Sequence, residues 1–130
     1  MHDKSTQPKT GILCFLKKEN EILLCLTDYN GKLLWNGVAG FIETGESPTQ
    51  ATIREAQEEI GIALQETNLQ LKGKLHLSSN LILNVFTATN WEGVPEPKEE
   101  SIKKLEWFNS DSLPLDQMFP ESENLADILK

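Results

Sequence analysis

Basic side chains are the first shortage in this chain. Twelve lysines and arginines face twenty aspartates and glutamates, for a net charge of −8 and a pI near 4.7. Arginine is reduced to a single residue, Arg54. A protein that grips a nucleic-acid polymer needs a basic footprint to displace counterions. The charge therefore excludes DNA and RNA polymers as partners, and an anionic membrane surface with them. Long apolar runs are also missing. No stretch approaches the roughly 18 residues of a membrane span. Met1–Thr10 has no apolar segment of the kind a secretory signal needs, so the cytoplasm is the expected compartment. Histidine is limited to His2 and His76, too few for a histidine-built metal site. Cysteine is limited to Cys14 and Cys25, both inside apolar runs, where reduced core thiols are expected. No fixed-period repeat is present.

What remains is an ordinary globular balance, with 38% hydrophobic and 25% charged residues over 130 positions. That length fits one domain, residues 1–130, with residues 1–9 expected as a flexible tail. A small anionic substrate is compatible with the charge only if something neutralises it locally, and a divalent cation does this.

The runs GILCFLKK (11–18) and EILLCLTD (21–28), joined at Glu19-Asn20, read as a β-hairpin. Asn30-Gly31 marks a second turn before a short strand at 32–38. Gly37, Gly40 and Gly45 then suggest a loop. Ser47-Pro48-Thr49-Gln50 combines a cap serine, a proline at the first helical position and a glutamine three residues after the cap. The helix it opens is expected to reach Ile60 and stop at Gly61. Further strands are expected over 69–77, 81–89 and 102–109, a loop over 91–100, a capped turn or short helix over 110–115, and a terminal helix over 122–130. Strands around one strong helix, with another helix at the end, predict an α/β or α+β fold with a mixed sheet sandwiched between helices.

Glu55, Glu58 and Glu59 cluster on one side of the 47–60 helix, away from Ile53, Ala56 and Ile60. Like charges at this spacing repel, and they lie towards the helix end where the dipole disfavours anions. A hard divalent cation reverses that sign, because three carboxylates offer the oxygen ligands that Mg²⁺ or Mn²⁺ prefers. Arg54, among Glu46, Glu55 and Glu58, has the planar fork that orients a carboxylate. A solvated acidic face with a surface Arg54–Glu58 pair is the plainer alternative.

Gly40, then five residues, Glu46, seven residues, Arg54-Glu55-Ala56, one residue, Glu58-Glu59, one residue and Gly61-Ile62 resembles the Nudix box. Every fixed position of that pattern is matched within residues 40–62. The resemblance implies a Nudix fold and Mg²⁺- or Mn²⁺-dependent hydrolysis of a nucleoside diphosphate linked to another group. It implies that Glu55, Glu58 and Glu59 are metal ligands or water-activating groups, with the Gly40 carbonyl as a further ligand. It implies that Glu46 and Arg54 orient loop and helix. Family members often add an acidic residue from a later loop. Glu99 and Glu100 are the candidates here, with Glu100 favoured.

Trp35-Asn36-Gly37, just before the box, is similar to a segment of the oxidised-purine triphosphatase branch of that family, related in activity to MutT. So is the series Trp107-Phe108, Leu113-Pro114 and Met118-Phe119-Pro120-Glu121-Ser122. By that resemblance Trp35 and Asn36 belong to the substrate site, Asn36 reads a base edge, Phe119 stacks on the base and Glu121 hydrogen-bonds to it. The branch differs at three places: Ala39-Gly40-Phe41 stands where it has Gly-Gly-Lys, Phe119 where it has tryptophan, and Ser122 where it has an acid.

The resemblance thus leads to a pyrophosphohydrolase that splits a nucleoside triphosphate, such as 8-oxo-dGTP, into a monophosphate and pyrophosphate. Other nucleoside diphosphate derivatives remain open, among them ADP-ribose, a dinucleotide and dihydroneopterin triphosphate. A nucleotide-binding module without hydrolysis is a third reading. The expected partner is a small nucleotide, and the expected state is a monomer or homodimer.

Overall fold

The computed structural model describes residues 8–119 and 121–129. Most of the expected tail, residues 1–7, lies outside them, but Lys9 already belongs to a strand. The elements are β1 (Lys9–Lys18), β2 (Glu21–Tyr29), β3 (Lys32–Asn36), β4 (Val38–Phe41), α1 (Pro48–Ile60), β5 (Leu69–Leu77), β6 (Leu81–Ala88), β7 (Ile102–Asn109) and α2 (Leu125–Ile128). Single 3₁₀ turns lie at Glu66–Asn68, Leu115–Gln117 and Ser122–Asn124.

β1 is the central strand. β4 pairs with it antiparallel on one side, with Ile12 opposite Gly40. β6 pairs with it in parallel on the other, with Leu13 opposite Val85. A parallel pair needs a long crossover, and α1 and β5 supply it. β5 then closes this layer antiparallel to β6. A second, antiparallel layer consists of β3, β2 and β7. It joins the first through the β1–β2 hairpin, whose pairing is confined to Lys17–Ile22 and Lys18–Glu21.

Period-two alternation gives β1 two buried faces. Ile12, Cys14 and Leu16 pack with Ala51, Ala56 and Ile60 of α1. Leu13 and Phe15 pack with Trp35, Val85, Leu125 and Leu129 on the opposite side. This explains why residues 12–16 read as one continuous apolar run rather than an alternating one. Cys14 and Cys25 are buried free thiols. Burial is the first cause that pushes each up to about 12.

The residue 32–38 segment is two strands, not one. The chain leaves β2 and joins β1 at Gly37, where an added Cβ would lie 2.6 Å from the Cys14 carbonyl oxygen and 2.8 Å from the Phe15 ring. Only glycine admits that approach. Val38, expected to end that strand, and residues 39–41, expected as part of a loop, are therefore strand β4. The expected terminal helix is reduced to a 3₁₀ turn and the single turn of α2. Its Leu125 and Leu129 still plug one face of the sheet.

α1 forms as its ends dictate. Ser47 Oγ accepts from the Gln50 amide at 3.1 Å, and Gln50 Oε1 accepts from the Ser47 amide at 2.9 Å. Gly61 closes the helix with φ 72°, its amide donating to the Gln57 carbonyl. Among the described residues no helix is long and apolar enough to cross a membrane. Ser47→Ala should remove half of this reciprocal cap and lower unfolding stability by about 1 kcal/mol. A urea midpoint shift at unchanged slope would measure it.

Candidate active site

The segment between β4 and α1 is held by one guanidinium. Arg54 Nε and Nη2 donate to the two Glu46 carboxylate oxygens at 2.7 and 3.0 Å. Nη2 also donates to the Phe41 carbonyl at 3.2 Å, which ties the end of β4 to the helix. Nη1 reaches Glu55 and Glu58, each at 3.4 Å. Glu46 Oε1 in turn accepts from the Glu43 amide at 3.0 Å. The hydrogen bonds from Arg54, and then the Glu43 amide, hold the Glu46 carboxyl down at about 2. A lysine offers no planar fork for this set of acceptors.

That tie brings the helix against β4 with its carboxylates inward. The Glu55 carboxylate lies where a side chain on Gly40 would otherwise sit, and a Cβ there would overlap it. Glu59 is 9% exposed, and its Oε1 accepts from the Ala39 amide at 3.4 Å. Burial, then the charge of Glu55, pushes the Glu59 carboxyl up to about 8. Burial likewise raises Glu55, against the pull of Arg54. Glu58 stands further out, its side chain 51% exposed. The helix thus carries one exposed, one partly buried and one buried acid, and a solvated face does not describe it.

A cavity of about 550 Å³ opens beside these carboxylates. Glu59, Ala39, Gly40 and Phe41 line it from α1 and β4, with Asn36 and Gly37 from the strand switch. Leu81 and Leu83 contribute apolar surface from β6, and Phe119 contributes an aromatic ring from the C-terminal segment. Two of the expected substrate residues, Asn36 and Phe119, therefore meet Glu59 of α1 in one space.

Three other expectations change. Trp35 does not line the cavity; it is 7% exposed in the core, edge-on to Phe108 at 4.8 Å between centroids. As its strand neighbour, it points to the opposite face from Asn36. Glu121 is also elsewhere, accepting from the Ser78 amide and hydroxyl at 3.0 and 2.8 Å. It fastens the C-terminal segment to the β5–β6 turn. Of the two loop acids, Glu99 lines the cavity and its charge acts on both Glu55 and Glu59. Glu100 does not line it; its carbonyl accepts from Lys103. The two acids lie in a turn closed by the Ile102 amide on the Glu99 carbonyl at 3.1 Å, and that turn directs them differently.

Tyr29 lines the same cavity, although nothing in its local sequence marked it. Its hydroxyl accepts from Asn36 Nδ2 at 2.8 Å. The Asn30-Gly31 turn would have located it: the turn sets the β2–β3 register, and that register puts Tyr29, Thr27, Leu34 and Asn36 on one face.

Among the described residues no three carboxylate, histidine or cysteine groups converge as they stand on one metal-binding point. The donor chemistry nonetheless suits a hard divalent cation. Glu55, Glu58 and Glu59 offer only oxygen, and Gly40 leaves open the space in which Glu55 sits. The Glu55 and Glu59 charges also repel one another. Gly40→Ala should force Glu55 out of its cradle towards water and bring its titration down towards the ordinary 4.5. A carboxyl-carbon NMR titration would register the change, and an unmoved Glu55 would contradict this packing.

Comparison with known proteins gives the arrangement its context. The model of the NUDIX domain matches residues 6–128. The 8-oxo-dGTP diphosphatase of Escherichia coli is 36% identical over 92 residues, 70% of this chain and 70% of that protein. The oxidized purine nucleoside triphosphate hydrolase of Danio rerio is 32% identical over 93 residues, 67% of this chain and 56% of that protein. The NAD-capped RNA hydrolase NudC of Pseudomonas aeruginosa is 30% identical over 106 residues, 80% of this chain and 37% of that protein. The chain therefore spans from about a third to just over half the length of these last two relatives. A MutT NUDIX hydrolase from Burkholderia pseudomallei superposes with a TM-score of 0.77 at 26% identity, covering 92% of this chain and 95% of that one. With the family model covering almost all of its length and the box residues gathered on one helix and the strand beside it, the chain belongs to the Nudix family.

Proposed function

We propose that the chain is a Mg²⁺- or Mn²⁺-dependent pyrophosphohydrolase of nucleoside triphosphates, with an oxidised purine nucleotide such as 8-oxo-dGTP as the leading substrate. The reading rests on one observation. Glu59 and Glu99, with the backbone of Gly40, line the same cavity as Asn36 and Phe119. A phosphate chain at the carboxylates and a base between the amide and the ring would occupy that space together. The names of the Escherichia coli and Danio rerio relatives support the choice of substrate.

Glu55, Glu58, Glu59 and the Gly40 carbonyl would hold the cation, with Glu99 reaching in from the loop. When bound, it neutralises phosphate oxygens and acidifies a water. The protein's own residues do the rest. The Glu46–Arg54 fork keeps α1 and β4 in register, so the carboxylates keep their spacing. One of these carboxylates accepts the proton of the attacking water. Water oxygen bonds to phosphorus, the bridging P–O bond breaks, and pyrophosphate leaves a nucleoside monophosphate behind. The apolar wall of Leu81 and Leu83 and the Phe119 ring suit a base excluded from water.

A second reading, cleavage within a dinucleotide, is favoured by the NAD-capped RNA hydrolase relative. Product analysis separates the two, because only a triphosphate yields pyrophosphate.

Glu59→Gln should lower kcat for pyrophosphate release by at least about 100-fold while the unfolding midpoint holds or rises. Undiminished turnover would refute the assignment. Metal dependence follows from the titration. Glu59 binds its proton more tightly in the folded chain than in the unfolded one, where 4.5 applies. Its ionisation therefore costs stability as pH rises from about 4.5 through about 8. A cation compensates that loss only where the carboxylate is ionised. Mg²⁺ should then raise the melting temperature more at about pH 9 than at about pH 6, and chelation should abolish the difference.

A further inference from the structure

The Asn36 side chain is fixed at both ends. Its Oδ1 accepts from the Gly37 amide at 2.8 Å, and its Nδ2 donates to the Tyr29 hydroxyl at 2.8 Å. The Gly37 amide can only donate, so it alone decides which way the side-chain amide faces. The hydroxyl holds the plane of that amide, because without it Nδ2 is free to swing about the Gly37 contact. Among the described residues one Nδ2 proton and one Oδ1 lone pair have no hydrogen-bond partner, and Asn36 and Tyr29 both line the cavity. A purine edge offers the matching acceptor and donor side by side, so the plane of this amide decides how well a base is read.

We propose that Tyr29 is a positioning residue for base recognition, acting through the Asn36 amide rather than on the reacting phosphates. The proposal rests on the reading of Asn36 as a base contact. Tyr29 lies at the end of β2, just before the Asn30-Gly31 turn, and is 41% exposed. Phenylalanine there keeps the ring and removes the hydroxyl, with its contacts to Asn36 Nδ2 and to the Thr27 side chain. The carboxylates come from α1 and the Glu99 loop, on other elements, so the two halves of the site can be perturbed separately.

The test compares Tyr29→Phe, Asn36→Ala and the double variant with the parent protein. Calorimetry gives the Kd of guanosine and adenosine 5′-monophosphates, and pyrophosphate release gives kcat and KM. Tyr29→Phe should weaken monophosphate binding by about 3- to 10-fold, the range of one neutral hydrogen bond, and the loss should fall on KM rather than kcat. Asn36→Ala should weaken it at least as much. The double variant should be no worse than Asn36→Ala alone, since the hydroxyl has nothing left to hold. Independent, additive losses would overturn the proposal, as would a Tyr29→Phe variant with unchanged Kd or with a loss in kcat alone. If Asn36→Ala itself leaves binding untouched, the base-contact reading fails and the proposal falls with it. If Asn36→Ala weakens binding and Tyr29→Phe does not, only the role of Tyr29 is lost.

Discussion

Carboxylates are costly to take out of water, and this chain sets the buried Glu59 and the partly buried Glu55 together against β4. The arrangement persists because other contacts hold α1 in place regardless. Ala51, Ala56 and Ile60 bury the apolar side of the helix against the sheet. Arg54 clamps the connecting segment through Glu46 and the Phe41 carbonyl. Gly40 gives the Glu55 carboxylate a place that any side chain would fill. The strain left over appears as raised proton affinity at Glu55 and Glu59. Under the proposed function, a divalent cation at these two groups would relieve that strain.

The sheet architecture supplies the other half of the site. At Gly37 the chain crosses from the β3–β2–β7 layer to the layer built on β1. Asn36 therefore belongs to one layer and Ala39 and Gly40 to the other, and the cavity opens where they part. The residues that could read a base come mainly from β2, β3 and the C-terminal segment. Those that could hold a cation come from α1, β4 and the Glu99 loop. Under the proposed function, substrate preference and hydrolytic chemistry would be carried by separate elements, so changes in one need not disturb the other. Tyr29 belongs to the first group, Arg54 to the second.

Much of the fold was legible along the chain because its signals are local. The cap of α1 needs only Ser47, Pro48, Gln50 and Gly61, and the structure has them in those roles. The hairpins follow from Glu19-Asn20 and Asn30-Gly31, and β5 and β7 fall on the expected residues. The split at Gly37 was not legible, since residues 32–38 look like one extended run until the Cys14 carbonyl and Phe15 ring are placed beside them. Glu99 and Glu100 could not be separated by composition, because the turn that carries them is set by where β7 begins. Trp35 and Glu121 carry the right chemistry for a substrate site but sit elsewhere, one in the core and one on the β5–β6 turn.

The sequence by itself determined the spacing of the carboxylates, the arginine that orders them and the glycines that let helix and strand approach. These depend on helical period, cap chemistry and the absence of a Cβ, all properties of short segments. Only the tertiary structure decided which acids are buried, which loop glutamate faces them, and that Tyr29 rather than Trp35 stands beside Asn36. Those outcomes depend on the face each side chain presents once distant strands pair. Parity within a strand is readable from the chain, but the register between elements far apart in sequence is set by how the whole core packs.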